Sequence, residues 1–400
     1  MTEVSYKVAR SVALDFPLPS LEIRHFRAFQ HLRIDRLGRV NLIVGKNNIG
    51  KTCILEALQV YARNGAPDVL WSILSGRDEL RPDEVRRERE LPRRQPELFP
   101  VTDLLDDDLA AIGSLFYGRP YMTPESHPKQ FAIGPAIDSD FSKTLSITAE
   151  WARVGQNDRG YPQPQFELFA PTDSPQYDNV GPFAPRLVVR VGELATYVFP
   201  IEEGFPYYRR SRIESSGLPC AVIRAGGLTH TQVGSLYDIA LKRGQEQEVL
   251  NALRIISPGV ERLNFIGERD RIPIVTMTGF RNPIPLRSLG DGMVRLLGVA
   301  ASLASINGGL LLVDEIETGI HYSAQQDMWR LIFQMARRLN VQVFATTHSW
   351  DCIEAFQEAA QEDEFAGMLV RLQDRDGQIT PTLFDERELS IVTRRQLEVR

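Results

Sequence analysis

The octet Gly45-Lys46-Asn47-Asn48-Ile49-Gly50-Lys51-Thr52 sets two glycines, a lysine and a hydroxyl residue in the spacing G-x-x-x-x-G-K-[ST]. Glycines let neighbouring backbone N–H groups converge on one point, which binds an anion without any side chain. The lysine adds a positive charge and the hydroxyl a hard oxygen, the pair that holds the phosphates of a nucleotide and their Mg²⁺. On this reading the backbone of residues 45–52 cradles phosphate, Lys51 reaches the β and γ phosphates, and Thr52 holds the metal. Such a loop needs a strand before it and a helix after it, because the helix N-terminus supplies further N–H groups and a favourable dipole. Val40–Val44 is a short apolar run suited to a buried strand, and Ile54, Leu55, Leu58 and Tyr61 share one helical face.

Three further groups could work on the same phosphates. Leu310–Val313 is an apolar strand ending in Asp314 and Glu315. Carboxylates at a buried strand tip are costly unless a metal or charged substrate compensates. Asp314 fits a Mg²⁺ ligand, and Glu315 fits the group that orients or deprotonates an attacking water. Glu317 and His321 follow in the same loop, where they could touch a partner subunit or simply be solvated. Val341–Ala345 runs into Thr346-Thr347-His348-Ser349, where His348 could hydrogen-bond a γ-phosphate and sense its loss. Ser288-Leu289-Gly290-Asp291-Gly292 opens an apolar helix and makes a second anion nest, or else a plain Ser-Gly helix cap. One nucleotide in one chain does not need two nests; a second copy of the chain would give the second nest a use.

The elements that must position these groups divide the chain into three. The first part, 1–66, contains expected strands at Leu21–Phe26 and His31–Ile34, a turn at Arg27-Ala28-Phe29, and the phosphate loop. The middle, 67–281, is richer in Pro, Gly and charge, with clusters at Arg81–Gln95 and Gly155–Pro185. Strand-like pieces occur there at Leu145–Trp151, Gln165–Phe169, Arg186–Val191 and Ala195–Pro200, and Thr229–Ile256 reads as helical. No sustained heptad repeat is present, so a compact insertion lobe is expected and a long coiled-coil arm is not. The last part, 282–400, returns to α/β order. It has helices at Gly292–Ser305, Ser323–Leu339 and Trp350–Glu358, strands at Leu310–Val313 and Val341–Ala345, and a β-hairpin, Met368–Leu372 with Ile379–Phe384, around Asp376-Gly377.

Composition narrows the setting. The 400 residues carry a formal net charge of −6, which argues against a broad, non-specific grip on DNA or on an anionic membrane. Cys53, Cys220 and Cys352 are far apart with no metal spacing, as expected of reduced thiols. No run approaches the roughly 18–20 apolar residues that span a bilayer, so a cytoplasmic protein without a membrane partner is expected. Tyr207-Tyr208-Arg209-Arg210-Ser211-Arg212 interleaves aromatics and arginines, a pattern that can stack bases and neutralise phosphates or pair internally with Glu202, Glu203 and Glu214.

Phosphate loop, Ser-Gly helix start, acid pair and histidine follow in that order, with 26 residues from Ser288 to Asp314 and 33 from Glu315 to His348. In this order, in Phe26-Arg27-Ala28-Phe29 ahead of GKNNIGKT, and in the segments DEIETGIHYS and ATTHS, the chain resembles the ABC-ATPase head shared by SMC, RecF and OLD-type proteins. The resemblance covers about Leu21–Ala66 and Asn282–Phe356. It implies an α/β P-loop NTPase fold with a mixed sheet and a large α/β insertion lobe, with ATP and Mg²⁺ as cofactors. It also implies a homodimer closing face to face, in which Ser288, Gly290 and Gly292 of one copy cap the ATP held by Lys51 of the other, with Arg27 near the nucleotide. The SLGDG signature lacks the glutamine that ends the commoner LSGGQ. OLD proteins add a Toprim nuclease domain, for which the roughly 50 residues after His348 are too few; a nuclease partner would be a separate polypeptide. The role implied is regulation of a DNA-directed partner in genome maintenance or anti-phage defence. The alternative is an ATP-gated clamp or scaffold on DNA or protein, with incidental hydrolysis.

Overall fold

A computed structural model of the chain describes residues 17–80, 102–136, 143–153, 155–156, 162–163, 183–192, 195–201, 217–361, 367–385 and 388. The expected strand at Gln165–Phe169, the cluster at Arg81–Gln95 and the patch at Tyr207–Arg212 lie outside the described residues.

Strand β1 (Leu21–Phe26) and strand β2 (Phe29–Ile34) form an antiparallel hairpin around Arg27 and Ala28. Strand β3 (Val40–Val44) is buried at every position, which requires cover on both faces. It gets that cover in a six-stranded sheet of order β10-β14-β15-β3-β16-β17. The other members are β10 (Cys220–Ile223), β14 (Leu310–Val313), β15 (Gln342–Thr346), β16 (Gly367–Arg375) and β17 (Gln378–Phe384). Neighbours from β10 to β16 run parallel; β17 returns antiparallel as the expected hairpin. The strict alternation of side chains then feeds two cores. Val40, Leu42 and Val44 join one with Leu311, Val313, Val343 and Ala345; Ile43 joins the other with Leu310, Leu312 and Phe344.

The first core is closed by helices. These are α4 (His230–Lys242), α5 (Glu246–Ile256), α6 (Asp291–Ser305), α7 (Tyr322–Arg338) and α8 (Trp350–Ala360). Trp329 of α7 is fully buried and meets Phe356 of α8 edge to face at 5.0 Å. The single helical stretch expected over Thr229–Ile256 is two helices, broken at Arg243-Gly244-Gln245. Beside them lies a small sheet of β11 (Val260–Ile266), β12 (Ile272–Met277) and β13 (Ile284–Pro285).

The second core is closed by α1 (Lys51–Ala62), α2 (Pro67–Ser75), α3 (Thr102–Gly113) and a second six-stranded, fully antiparallel sheet. Its order is β2-β1-β4-β5-β8-β9, with β4 (Lys129–Gly134), β5 (Leu145–Arg153), β8 (Phe183–Val191) and β9 (Ala195–Pro200). The two-residue strands β6 (Gly155–Gln156) and β7 (Pro162–Gln163) pair with each other. Helix α1 contributes Ile54, Leu55, Ala57, Leu58 and Val60 to the same core as residues of both large sheets. The helix that leaves the phosphate loop is thus fixed by packing. Strands from either side of the boundaries expected at 66/67 and 281/282 pair directly: Ile133 of β4 with Ile23, and Val222 of β10 with Leu312. Among the described residues, no helix is long and apolar enough to cross a membrane.

The end of the sheet opposite the phosphate loop is closed by two buried amides. Asn41 donates from Nδ2 to the carbonyls of Gly38 (2.8 Å) and Val343 (3.1 Å), and its Oδ1 accepts from the Gly38 N–H (2.8 Å). Gln342 donates from Nε2 to the carbonyls of Leu18 (2.7 Å) and Gly38 (2.9 Å). Replacing Asn41 by Ala strands these backbone groups out of water, so we expect a loss of about 2–3 kcal/mol in denaturant unfolding. An unchanged midpoint would contradict the tie.

Candidate functional site

The turn from β3 into α1 is forced by packing. Gly50, at the N-cap of α1, has φ 98°, and a Cβ there would lie 2.8 Å from the Phe29 ring. Asn48 also adopts a positive φ of 61°, which Asn tolerates better than most residues. The Ile54 N–H closes onto the Gly50 carbonyl at 3.1 Å, so the leading amides of α1 have no intrahelical acceptor and point into the loop. Lys51 is only 5 % exposed. Its Nζ donates to the carbonyls of Gly45 (2.7 Å) and Lys46 (2.9 Å), bridging the loop. Burial pushes its pKa below the ordinary lysine value, against the pull of Asp314, Glu315 and Glu317.

The acid pair arrives by strand register. Val313 of β14 pairs with Ala345 of β15, so both chains leave the sheet together. Thr346 Oγ1 donates to Asp314 Oδ1 at 2.6 Å and accepts the Glu315 N–H at 2.9 Å. Thr52 Oγ1 donates to Asp314 Oδ2 at 3.1 Å, joining two residues 262 apart in the chain. A hydroxyl and a carboxylate in contact beside the loop are hard oxygens that suit Mg²⁺, which takes few protein ligands and fills its shell with water and phosphate. Among the described residues no group of three or more His, Cys, Asp or Glu gathers into a denser metal site. Glu315 sits at φ 47°, a left-handed conformation for a non-glycine residue, so its backbone is held by its surroundings. Its Oε1 is 3.9 Å from His348 Nε2. Glu317 Oε1 accepts the His348 N–H at 3.0 Å.

These groups surround one cavity of about 870 Å³, lined among others by Asn47, Lys51, Thr52, Glu315, Glu317 and His348. Its far wall holds Arg27, Arg77 and Arg119, of which only Arg27 was expected from the sequence. The Arg27 guanidinium does not stand free. Its Nε pairs with Glu56 at 2.8 Å and its Nη2 with Glu79 at 3.0 Å. Glu56 also pairs with Arg77 at 2.6 Å, and Glu79 with Arg119 at 3.0 Å and with the Ser114 hydroxyl at 2.8 Å. Burial holds the Glu56 carboxyl above its usual range despite Arg27 and Arg77. For Glu79 burial also raises the pKa, but Arg27, Ser114 and Arg119 outweigh it and the net direction is down.

The remaining candidates sit elsewhere. Ser288 lies in a short 3₁₀ turn (Leu286–Leu289), and Gly290 heads α6 at φ 106°. Both are exposed and neither lines the cavity of its own chain. Gly292 has a packing reason to be glycine, since a Cβ there would come 2.8 Å from the Gly319 carbonyl. Helix α6 therefore abuts the loop that follows Glu315. His321 caps α7, its Nδ1 accepting from the Ser323 N–H at 3.4 Å.

Residues 18–92 match the family model described as "AAA ATPase domain". Residues 246–351 match the one described as "AAA domain, putative AbiEii toxin, Type IV TA system". The first stretch holds the phosphate loop; the second holds Ser288, Asp314, Glu315 and His348. Two separate parts of the chain thus resemble AAA-type ATPase domains, in keeping with its P-loop NTPase fold. An "ATP/GTP phosphatase" of Helicobacter pylori is 20% identical over 375 residues, 87% of this chain and 90% of that protein. An uncharacterized protein of Methanocaldococcus jannaschii is 31% identical over 90 residues, 22% of this chain and 78% of that protein. The chain and this short archaeal protein belong to one family. Among solved structures, an SMC head bound to the C-winged helix domain of ScpA is similar over 92% of this chain and 98% of that one, with a TM-score of 0.46 and 12% identity. The SMC head domain from Thermotoga maritima is similar over 92% of this chain and 100% of that one, with a TM-score of 0.40 and 13% identity.

The Glu79 cluster has a pH signature. A carboxyl whose pKa is lowered by folding stabilises fully above its unfolded value and loses that contribution as pH falls through the folded one. We therefore expect acidification below the reference value of 4.5 to cost the wild type stability that Glu79→Gln no longer loses. Denaturant unfolding across that range checks it; parallel pH profiles would contradict it.

Proposed function

We propose that the chain binds ATP with Mg²⁺ on the Gly45–Thr52 loop and hydrolyses it between two copies of itself. The convergence of Lys51, Thr52, Glu315 and His348 on one cavity, with Asp314 bonded to Thr52 beside it, carries this reading, since the five come from three separate sequence regions. The free amides of the loop and of the start of α1 bind phosphate oxygens. Lys51 exchanges its contacts with the Gly45 and Lys46 carbonyls for the β and γ phosphates. Thr52 and Asp314 are the residues to hold Mg²⁺, which when bound would neutralise phosphate charge. Glu315 orients the attacking water and accepts its proton, and His348 faces both Glu315 and the γ-phosphate position.

The second copy enters through α6. The turn ahead of it is exposed at Ser288 and Gly290 and lines no part of its own chain's cavity, and a partner's γ-phosphate gives the Ser288 hydroxyl and the N-terminus of α6 a ligand. By resemblance, the output of this cycle is control of a DNA-directed partner such as a separately encoded nuclease.

Exchanging Glu315 for Gln should lower ATP turnover by about 10²–10⁴-fold. ATP affinity should survive in calorimetry, and light scattering should show a longer-lived dimer in ATP and Mg²⁺. Lys51→Ala should lose nucleotide binding. Wild-type turnover in the Gln variant would remove Glu315 from the chemistry.

A further inference from the structure

Arg295 is an arginine in a mostly apolar, largely buried helix. It lies on α6, one turn past Gly292, and is only 8 % exposed among Leu296, Leu297 and Val299. A guanidinium in such a place must be held by acceptors. Its Nη2 donates to the backbone carbonyls of Asp314 (2.7 Å) and Glu315 (2.9 Å), and its Nη1 to the carbonyl of Arg224 just past β10 (3.1 Å). One side chain thus clasps the ends of β10 and β14 and the left-handed turn at Glu315. The clasp originates on the helix that directly follows the Ser288–Gly290 turn.

The clasp is incomplete in a telling way. Among the described residues, Arg295 Nε has no hydrogen-bond partner although it is fully buried, and the same holds for Glu317 Oε2 in the same loop. Of the three carboxylates acting on Arg295, Glu317 acts most strongly. A buried guanidinium and a half-buried carboxylate of opposite charge, each with a buried atom whose bonding capacity is unused, give the guanidinium a second resting place. Buried groups of this kind favour discrete alternatives over gradual movement, because each unmade bond is costly.

We propose that Arg295 is a positioning residue that couples the Ser288–Gly290 nest to Glu315 by exchanging the 314 and 315 carbonyls for the Glu317 carboxylate. This rests on the two-copy reading above. Engagement of the nest by a partner's nucleotide draws on α6; Arg295 follows, and the Glu315 turn is released into its working position. By reciprocity, the state of the acid turn sets how readily the nest accepts the partner.

Two variants test this. Arg295→Lys keeps the charge but lacks the planar fork that spans three carbonyls, and Glu317→Gln keeps the shape but removes the charge of the second partner. ATP affinity by calorimetry, dimerisation by light scattering and steady-state turnover are measured for each and for the wild type. Both variants should bind ATP within about twofold of wild type and still dimerise, yet turn over about 10–100-fold more slowly, a kcat effect without a matching binding effect. Turnover near wild type in Glu317→Gln overturns the exchange. Equal losses of affinity and turnover in both variants overturn it too, by reducing the residues to structural support. A wild type that hydrolyses ATP as a monomer would instead sink the two-copy reading, and this coupling with it.

Discussion

The structure is organised around the burial of one ammonium group. Lys51 is taken out of water at the tip of β3 and held by two carbonyls of its own loop, with Asp314, Glu315 and Glu317 across the cavity. A buried cation in this position is tolerable only if the acids come close, and they come close only if β14 and β15 lie beside β3 in the observed register. The parallel sheet, the Thr346 bridge and the turn at Glu315 can each be understood as meeting that condition. On the proposed function, a bound triphosphate would relieve it further, by giving Lys51 anionic partners in place of neutral carbonyls.

The antiparallel sheet has a second task. Phe29 presses against Gly50 and fixes the glycine turn, while Arg27 from the same hairpin reaches Glu56 on α1 and Glu79 after α2. The wall of the cavity beside the glycine loop is thereby tied to both large sheets at once. Three arginines share two glutamates there, Glu56 buried and Glu79 half-buried, so the wall carries a surplus of positive charge beside the glycine loop.

What the sequence revealed, and what it hid, follows the range of the interactions. The places of GKNNIGKT, the Asp314-Glu315 strand tip and the His348 turn between their strands and helices were legible because each motif is local. Val40–Val44, Leu310–Val313 and Ala195–Pro200 have the strand bounds that their apolar patterns give. β10 was missed because Cys-Ala-Val-Ile is only four residues long in a Pro- and Gly-rich stretch, and its place in the parallel sheet depends on a pairing with β14 across about 90 residues. Glu56, Arg77, Glu79 and Arg119 read as ordinary helix and surface charge, since the ion pairs that join them to Arg27 span 29 to 52 residues, or reach it through Glu79. Arg295 had a signal, a lone charge on an apolar helix, which gains meaning only once the carbonyls it bonds are placed.

The two-copy site is tested most directly by a crystal structure of the Glu315→Gln protein with ATP and Mg²⁺. The account predicts a γ-phosphate contacted by Lys51 of one copy and by the Ser288–Gly290 backbone of its partner. A nucleotide bound at the loop with the partner's Ser288 far from it, or one seated away from residues 45–52 altogether, would contradict it.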